Sequence, residues 1–499
     1  MAFPAAISLR DVALIGPEVL LGAAGLLLLV AGAIGKGLSR REATWVAGFG
    51  LALSAGVLFV VRLGVGSAPA PLFGGSLALD GYAFFWQFLA LASVALVVLL
   101  SSHGIESIAS RASEYFALLL IATSALMLMV AALDLLTLWI ALETMALSSY
   151  VLAGIFTRER RSNEAAIKYF ILGALSSAIL LYGISLLYGA TGTLTLEGLA
   201  QAMPAALDKG SRIAPLGGLL VAAGLFFKIA AAPFHFWVPD VYVGAPTPIT
   251  AFLASASKLA SFAVLGRVLL HAFGGVRVEW QPVVAGVAAV SMIWGNVGAL
   301  TQSNVKRLLA YSSIAHAGYL LIGLLAVSET GLWAAMFYAA AYAFMTIGAF
   351  SVVALVSRGE YAAESCSDYS GLGRRSPFLA ASMLIFLIGL TGIPPTGGFF
   401  GKVFLFAAAV EAGWTWVAVA GVLTSALSLY FYFRIVVFMY FKPAAGPGEP
   451  AETLPFLGRP AAPPAAITAI GLCAALTLAL GIFPGPLIEL VKQSLLALR

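Results

Sequence analysis

Residues 224–262 read GLFFKIAAAPFHFWVPDVYVGAPTPITAFLASASKLASF, two hydrophobic segments joined by a proline-rich break. The first segment carries Lys228 and the second carries Lys258. A charge near the centre of a bilayer costs about 2.5–3.5 kcal/mol on an insertion scale, so each lysine is a candidate functional residue. A broken helix at that depth is tolerated where it lines a cavity inside the protein. The stretch therefore predicts a membrane protein with a polar interior.

Composition supports the same class for the whole chain. Hydrophobic residues make up 61% of the 499 residues and charged residues only 10%, whereas soluble domains carry roughly 25% charged residues. The formal charge of +5 comes from basic loops, and no basic run is interleaved with aromatic residues, so no nucleic-acid partner is expected. Cys366 and Cys473 are too far apart in sequence to indicate a disulfide framework, an iron–sulfur cluster or a zinc ribbon.

Membrane spans follow from runs of about 20 apolar residues. The sequence contains fourteen of them, and we expect an all-α polytopic fold in which spans 7 and 12 are broken at prolines. The first span has no basic leader or cleavage site and is expected to be retained. The predicted spans are 12–34, 43–62, 82–101, 115–133, 135–157, 165–189, 214–231, 247–271, 282–301, 308–327, 330–357, 378–410, 414–441 and 464–491.

Spans 4–8 and 9–13 are interpreted as two repeats. LSSYVLAGI at 147–155 resembles YSSIAHAGY at 311–319, and AAIKYF at 165–170 resembles AAMFYA at 334–339. Each repeat continues into a broken helix, and an offset of five helices gives the two repeats inverted topology. The predicted regions are 1–110 with spans 1–3, 111–275 with the first repeat, 276–442 with the second repeat, and 443–499 with a loop and span 14.

The distribution of basic residues predicts the orientation. Lysine and arginine are about twice as frequent in the odd-numbered loops as on the opposite side, as in the cluster Arg158, Arg160 and Arg161. The positive-inside rule then places the odd-numbered loops in the cytoplasm and both termini outside.

Five charged residues within the spans are candidate proton carriers. Glu143 lies near the centre of span 5, Lys168 one turn into span 6, and Lys402 just after the break in span 12. A buried lysine near a carboxylate can take up and release a proton as its partner approaches or leaves. We expect Glu143 to pair with Lys228 or Lys168, and Lys258 to pass the proton toward Lys402. The alternatives are a Lys168 that snorkels to the headgroups and a structural role for the others.

His316 and His235 allow two interpretations each, and the remaining basic residues are expected near helix ends. His316 lies inside span 10, where it serves either as a relay or as an interhelical hydrogen-bond partner. His235 lies in the span 7 break, and capping or water contact explains it as well as transport does. Arg267 and Arg434 lie closer to the helix ends, where we expect them to anchor or pair. No histidines have haem or metal spacing, and no nucleotide or flavin motif is present.

Transport by this chain needs an external source of energy. Moving one charge outward against 100 mV costs about 2.3 kcal/mol. Since no motif for energy-yielding chemistry is found, a second ion gradient or a partner subunit has to supply that energy. The first source would make the protein an antiporter, and the second would make it part of a larger complex.

Four long motifs resemble one known family. They are GLFFKIAAAPFHFWVPDVYVGAPTPITAFLASASKLASFAVLGR at 224–267, SNVKRLLAYSSIAHAGYLLIG at 303–323, GLTGIPPTGGFFGKVFLF at 389–406 and YFYFRIVVFMY at 430–440. They are similar to the antiporter-like subunits of proton-pumping NADH:quinone oxidoreductase, complex I, over about Asp80 to Tyr440. The sequence around Lys258, a lysine at 402 and the absence of a long lateral helix resemble subunit N rather than M or L.

The resemblance implies roles for the charged residues. Glu143 matches the glutamate of helix five, Lys168 a lysine of helix six, Lys228 the lysine of helix seven, Lys258 the central lysine and Lys402 the exit-side lysine. A subunit of this kind is expected to translocate protons in a bacterial inner membrane, next to partner subunits such as M and K. NADH, FMN, iron–sulfur clusters and quinone are expected in partner subunits, and no cofactor in this chain.

Two other functions remain open from the sequence. One is a subunit of an Mrp-like multisubunit cation/proton antiporter, which belongs to the same wider family. The other is a structural subunit that only holds a membrane arm together. Genes for quinone oxidoreductase subunits beside this one would favour the complex I function, and genes for small antiporter subunits would favour the Mrp-like function.

Overall fold

The computed structural model describes residues 8–34, 38–65, 70–102, 111–357, 364–443 and 463–495. Within these ranges, twelve helices are long and apolar enough to cross a membrane. Two shorter apolar helices, Ile213–Lys228 and Pro377–Thr391, bring the number of spans to fourteen. The predicted all-α polytopic fold is confirmed.

We number the spans α1 to α14 and divide the two broken spans into halves. They are α1 Gly16–Ile34, α2 Arg40–Val65, α3 Gly81–Ser101, α4 Ala112–Ala131, α5 Leu135–Ala153, α6 Arg160–Thr191, α7a Ile213–Lys228, α7b Trp237–Gly244, α8 Thr247–Ala272, α9 Arg277–Leu300, α10 Val305–Leu325, α11 Glu329–Val356, α12a Pro377–Thr391, α12b Gly397–Glu411, α13 Thr415–Phe441 and α14 Pro464–Ile482. Short helices cover Leu9–Leu14, Leu196–Asp208, Leu372–Arg375 and Gly485–Leu495, and an antiparallel hairpin pairs β1 Ala70–Leu72 with β2 Leu77–Leu79.

The structure corrects three predicted boundaries. Span 14 ends at Ile482 instead of continuing to 491, because the residue before Pro484 is disfavoured in a helix. A separate helix, Gly485–Leu495, follows it. Span 6 begins earlier than predicted, at Arg160, and the break in span 7 contains the half-helix α7b.

Matching backbone bridges define the register of the two repeats. Asp134 pairs with Thr195 in the first repeat, and Asn304 pairs with Ser365 in the second, each residue 170 positions after its counterpart. Asp134 and Asn304 also cap α5 and α10 with their side chains. The predicted match of 147–155 with 311–319 differs from this offset by six residues, and the match of 165–170 with 334–339 differs from it by one. The predicted region boundary at 110 and most of the loop after 443 lie outside the described residues.

The centre of the fold is a set of helices with little exposed surface. α8 is wholly buried, and α10 and α11 are largely buried, whereas α1 and α2 expose most of their length. The half-helix α7b packs between α6 of the first repeat and α10 of the second. The half-helix α12b packs against α10, α11 and α13. The half-helix that follows each break is therefore packed in protein, as irregular backbone in a membrane requires, whereas the break residues Pro233, Phe236, Pro394 and Pro395 are exposed.

The two halves of span 12 meet too closely for a side chain at Gly398. A Cβ at this position would lie 1.9 Å from the carbonyl oxygen of Gly389. We expect Gly398→Ala to destabilise the fold by about 1–3 kcal/mol, the usual cost of overpacking. Gly286→Ala on α9 is the control, because a Cβ there meets no atom within 4 Å. Thermal unfolding in detergent measures both variants, and equal melting temperatures would contradict this prediction.

Candidate functional site

Lys228 is the last residue of α7a and is only 5% exposed. The helix ends there because the chain turns at Ala230, which has a positive φ of 63°. The Lys228 ammonium lies 3.5 Å from the hydroxyl of Tyr150 and 5.7 Å from the centre of that ring. Lys228 is thus a buried cation held mainly by one tyrosine.

Glu143 lies on α5 and is partly exposed, next to the exposed side chains of Ile140 and Leu147. In the part of the chain that the structure describes, Glu143 forms no ion pair within 4 Å, and its Oε1 is buried without a hydrogen-bond partner. The predicted pairing of Glu143 with Lys228 is therefore not a direct contact in this structure.

Lys168 does not pair with Glu143. Its ammonium lies 2.7 Å from Glu164 and 2.7 Å from Asp240, and its side chain is 41% exposed. This placement corrects the predicted Glu143–Lys168 pair. Lys168 belongs instead to a charged cluster near the start of α6, beside Asp240 of α7b.

Lys258 is 1% exposed and follows a π-helical turn, Leu253–Ser257, in α8. π-helical turns are rare and occur often at functional sites. The ammonium donates to the carbonyl oxygen of Ser313 at 2.6 Å and also to its hydroxyl. Tyr342 donates to the same hydroxyl at 3.0 Å. Ser313 lies 170 residues after Glu143, the same offset as that between the two backbone bridges.

His316 lies one turn after Ser313 and is 2% exposed. Its Nδ1 is 2.6 Å from the hydroxyl of Tyr338, and its Nε2 is 3.3 Å from the hydroxyl of Tyr432. Its ring centre lies 5.0 Å from that of Tyr342, the residue that contacts Ser313. His316 is thus hydrogen-bonded on both sides, which fits both of its predicted roles.

Lys402 lies on α12b and reaches back to the end of α12a. Its ammonium donates to the carbonyl oxygens of Leu390 and Thr391, both at 2.9 Å, and to the hydroxyl of Ser425 at 2.8 Å. It lies 4.6 Å from the ring centre of Tyr319. The negative end of the α12a dipole stabilises a cation at this point. Both helix breaks therefore place a lysine at the C-terminal end of a half-helix.

The second half of the site is a series of hydrogen bonds and ring contacts. Lys258, Ser313 and Tyr342 are hydrogen-bonded in series, and His316 follows within ring contact. The His316 ring centre is 5.5 Å from that of Tyr319, which lies under Lys402.

Among the described residues, Met145 of α5 contacts two serines, one next to Tyr150 in sequence and one next to Lys258. Its sulfur lies 3.5 Å from Ser149 Oγ and 3.4 Å from Ser257 Oγ. A thioether accepts weakly and donates nothing, so Met145 cannot pass a proton between these two serines.

Sequence reasoning missed the residues whose hydroxyl groups surround His316. Tyr338 and Tyr342 lie one turn apart on α11, and Ser313 lies one turn before His316. The spacing of polar residues on one helix face is the signal that could have found them. Tyr432 comes from α13, more than a hundred positions away in sequence, and had no such signal.

The two arginines have hydrogen-bond partners, and His235 makes ring contacts. Arg267 forms a buried ion pair with Asp80, and Arg434 donates to the carbonyl oxygens of Leu300 and Gln302. His235 is buried beside Trp294, at 5.6 Å between ring centres. Among the described residues, no group of three or more His, Cys, Asp or Glu side chains could hold a metal ion.

Comparisons with known proteins identify the family of this site. Residues 132–428 match the family described as NADH:quinone oxidoreductase/Mrp antiporter, TM. The chain is 42% identical to NADH-quinone oxidoreductase subunit N of Trichlorobacter lovleyi, over 86% of this chain and 87% of that one. It is 42% identical to the subunit N of Desulforamulus reducens, over 97% and 98%.

The fold agrees with these relatives. A chain of respiratory complex I from Thermus thermophilus superimposes with a TM-score of 0.79 at 34% identity, covering 95% of this chain and 99% of that one. The matched residues include both broken helices and all three buried lysines of the site. The chain therefore belongs to the subunit N family of NADH-quinone oxidoreductase, within the wider family of antiporter-like membrane subunits.

Proposed function

We propose that this chain translocates protons as a membrane-arm subunit of an NADH-quinone oxidoreductase. The observation that carries the proposal is a buried series of hydrogen bonds and ring contacts: Lys258, Ser313 and Tyr342 are hydrogen-bonded, and ring contacts lead on through His316 to Tyr319 beside Lys402. Buried lysines are costly and neutral packing would serve structure better. A series of groups that can each bind or release a proton provides a reason to keep them.

In this route the proton enters from the cytoplasm near Glu143 and Lys228. It crosses the interval at Met145 to Lys258, and water is required there because the thioether cannot donate a proton. His316 then relays it toward Lys402, using its two ring nitrogens in turn. Lys402 releases it to the outside.

The energy comes from partner subunits. NADH, FMN, iron–sulfur clusters and quinone belong to those subunits, and this chain contributes no redox step. We place subunits M and K beside it in a bacterial inner membrane, with both termini outside according to the positive-inside rule. A change in charge or position at a neighbouring subunit would alter the field at Glu143, which lies at the edge of the fold.

The Mrp-like antiporter is the second candidate function, since the matching family includes both kinds of protein. The names of the full-length relatives favour the oxidoreductase subunit. Copurification with quinone oxidoreductase subunits would support the first function, and copurification with small antiporter subunits would support the second.

Removal of the terminal lysines of the route tests the function. We expect Lys228→Ala and Lys402→Ala in the assembled complex to abolish the protons translocated by this subunit, because each removes an essential proton-binding group. Protons translocated per NADH oxidised are measured in sealed membrane vesicles. Lys492→Ala is the control, since Lys492 is an exposed residue of the helix Gly485–Leu495.

The outcome also separates transport from a structural role. Normal assembly with reduced translocation excludes a subunit that only holds the arm together. Unchanged translocation in both lysine variants would show that the proposed route is wrong.

A further inference from the structure

A charged cavity of about 320 Å³ opens where the two repeats meet. Its polar lining comprises Arg161, Glu164, Asp240, Asn304, Arg307 and Glu364. We call it the vestibule. The odd-numbered loops of α5–α6, α9–α10 and α11–α12 surround it, which places it on the cytoplasmic side in the proposed orientation.

Asp240 connects the two repeats across this vestibule. One carboxylate oxygen lies 2.7 Å from the Lys168 ammonium of α6, and the other lies 2.8 Å from the Arg307 guanidinium of α10. Asp240 itself belongs to α7b, the half-helix between them. A single carboxylate thus ties the half-helix to both neighbouring helices.

The C-terminal end of α7b is held by a second cation. Lys306 of α10 is 2% exposed and donates to the carbonyl oxygens of Val243 at 3.1 Å and Ala245 at 2.8 Å. These bonds satisfy carbonyl groups that a helix end leaves without partners. Lys306 therefore anchors the C-terminal end of α7b, while Trp237 Nε1 donates to the carbonyl oxygen of Phe227 at 3.1 Å at its start. The Asp240 bridges are the charged contacts of the half-helix between these two ends.

An aromatic stack between α7b and α6 forms a series of contacts from the neighbourhood of Asp240 to Lys228. Trp237 lies one turn before Asp240 and stacks on Tyr169 of α6, with ring centres 4.5 Å apart and planes 10° from parallel. Tyr169 in turn contacts Tyr150 edge to face at 4.7 Å, and the Tyr150 hydroxyl is the contact of Lys228. All three aromatic side chains are buried. A proton that enters through the vestibule meets this stack before it reaches Lys228.

We propose that Asp240 is the latch of a gate formed by Trp237 and Tyr169. While Asp240 bridges Lys168 and Arg307, α7b stays against α6 and the stack remains closed. Release of the bridges lets α7b move away and admits water to Lys228. Asp240 is a positioning residue in this scheme, since it acts through the half-helix and does not contact Lys228. This inference rests on the proposed function, from which it takes the direction of proton entry, from the vestibule to Lys228.

Accessibility of a thiol behind the stack tests the latch. Ser176 lies on α6 two turns beyond Tyr169, is 7% exposed and contacts the carbonyl oxygen of Gly224, one turn before Lys228. The reporter is Ser176→Cys in a chain whose two native cysteines are replaced by serine. The complex in oriented vesicles is exposed to a charged, membrane-impermeant methanethiosulfonate from the vestibule side.

We expect the reporter to be shielded in the parent chain and to react faster in Asp240→Asn. An acceleration of about tenfold is expected from the loss of two partly exposed ion pairs. Asp240→Glu keeps the charge and should remain shielded. Glu364→Gln is the matched control, because it removes a carboxylate from the same vestibule, bonded to Arg161 and Asn304, and leaves the Asp240 bridges intact.

Labelling of Asp240→Asn at the parental rate would overturn the latch. If that variant does not assemble, the double variant Lys168→Gln/Arg307→Gln removes the same bridges from the opposite side and has the same expected result. The readout is independent of pumping. Faster labelling in Asp240→Asn with intact pumping in Lys228→Ala and Lys402→Ala would support the gate and refute the proposed proton route.

Discussion

Replacement of Lys258 by arginine should stop proton translocation by this subunit as completely as replacement by methionine. Arginine keeps the positive charge and can still donate to Ser313, but it does not release its proton in proteins. Methionine removes both the charge and the proton. If Lys258 carries the proton, we expect transfer through this position to slow by about 10²–10⁴-fold in both variants. The measurement is protons translocated per NADH oxidised by the assembled complex in sealed vesicles.

The arginine variant distinguishes a lysine that carries the proton from a lysine that acts only through its charge. Substitution by a neutral residue removes both functions at once. A lysine that acts only through its field would be replaced well by arginine, and translocation would then stay near the parental value. That result would show that Lys258 is not a proton carrier. Lys492→Arg, an exposed lysine near the ring of Trp333, is the matched control and should leave translocation unchanged. Assembly of each variant is checked by copurification of the partner subunits.

The sequence was sufficient for the architecture because spans are local features. An apolar run of about 20 residues and a pair of prolines determine where a helix crosses and where it breaks. The wrong prediction for the end of α14 also has a local cause. The apolar sequence continues past Ile482, but Pro484 ends the helix there. The register of the repeats needed the structure, because short matches between alanine-rich helices occur at several offsets.

The partners of the charged residues could not be predicted in the same way. Lys168 was a candidate partner of Glu143 by sequence position, and the fold brings Asp240 of α7b to it instead. The surroundings of His316 come from α11 and α13, so their identity depends on how three helices pack. Spacing along one helix predicts which residues share a face, and it carries no information about the helix opposite.

The buried ion pair between Asp80 and Arg267 should have the largest effect on stability. Two bonds join them, at 2.8 and 3.0 Å, and both side chains are 4% exposed. Asp80 also caps α3 by accepting from the amide of Ala83 at 2.7 Å. We expect Asp80→Asn to lower the free energy of unfolding by about 3–5 kcal/mol, because it leaves the Arg267 charge buried without compensation. Reversible unfolding in mixed detergent micelles measures the loss.

A double-mutant cycle isolates the effect of the buried charge, since asparagine at position 80 can still cap α3. Arg267→Met alone leaves the Asp80 carboxylate uncompensated and should cost about as much as Asp80→Asn. The double variant removes both charges, so its loss should be clearly smaller than the sum of the single losses. Arg161→Gln is the matched control at a more exposed pair, with side chains 57% and 15% exposed, and should cost at most about 1 kcal/mol. Additive losses in the cycle would contradict the prediction, because they would show that the two side chains stabilise the fold independently.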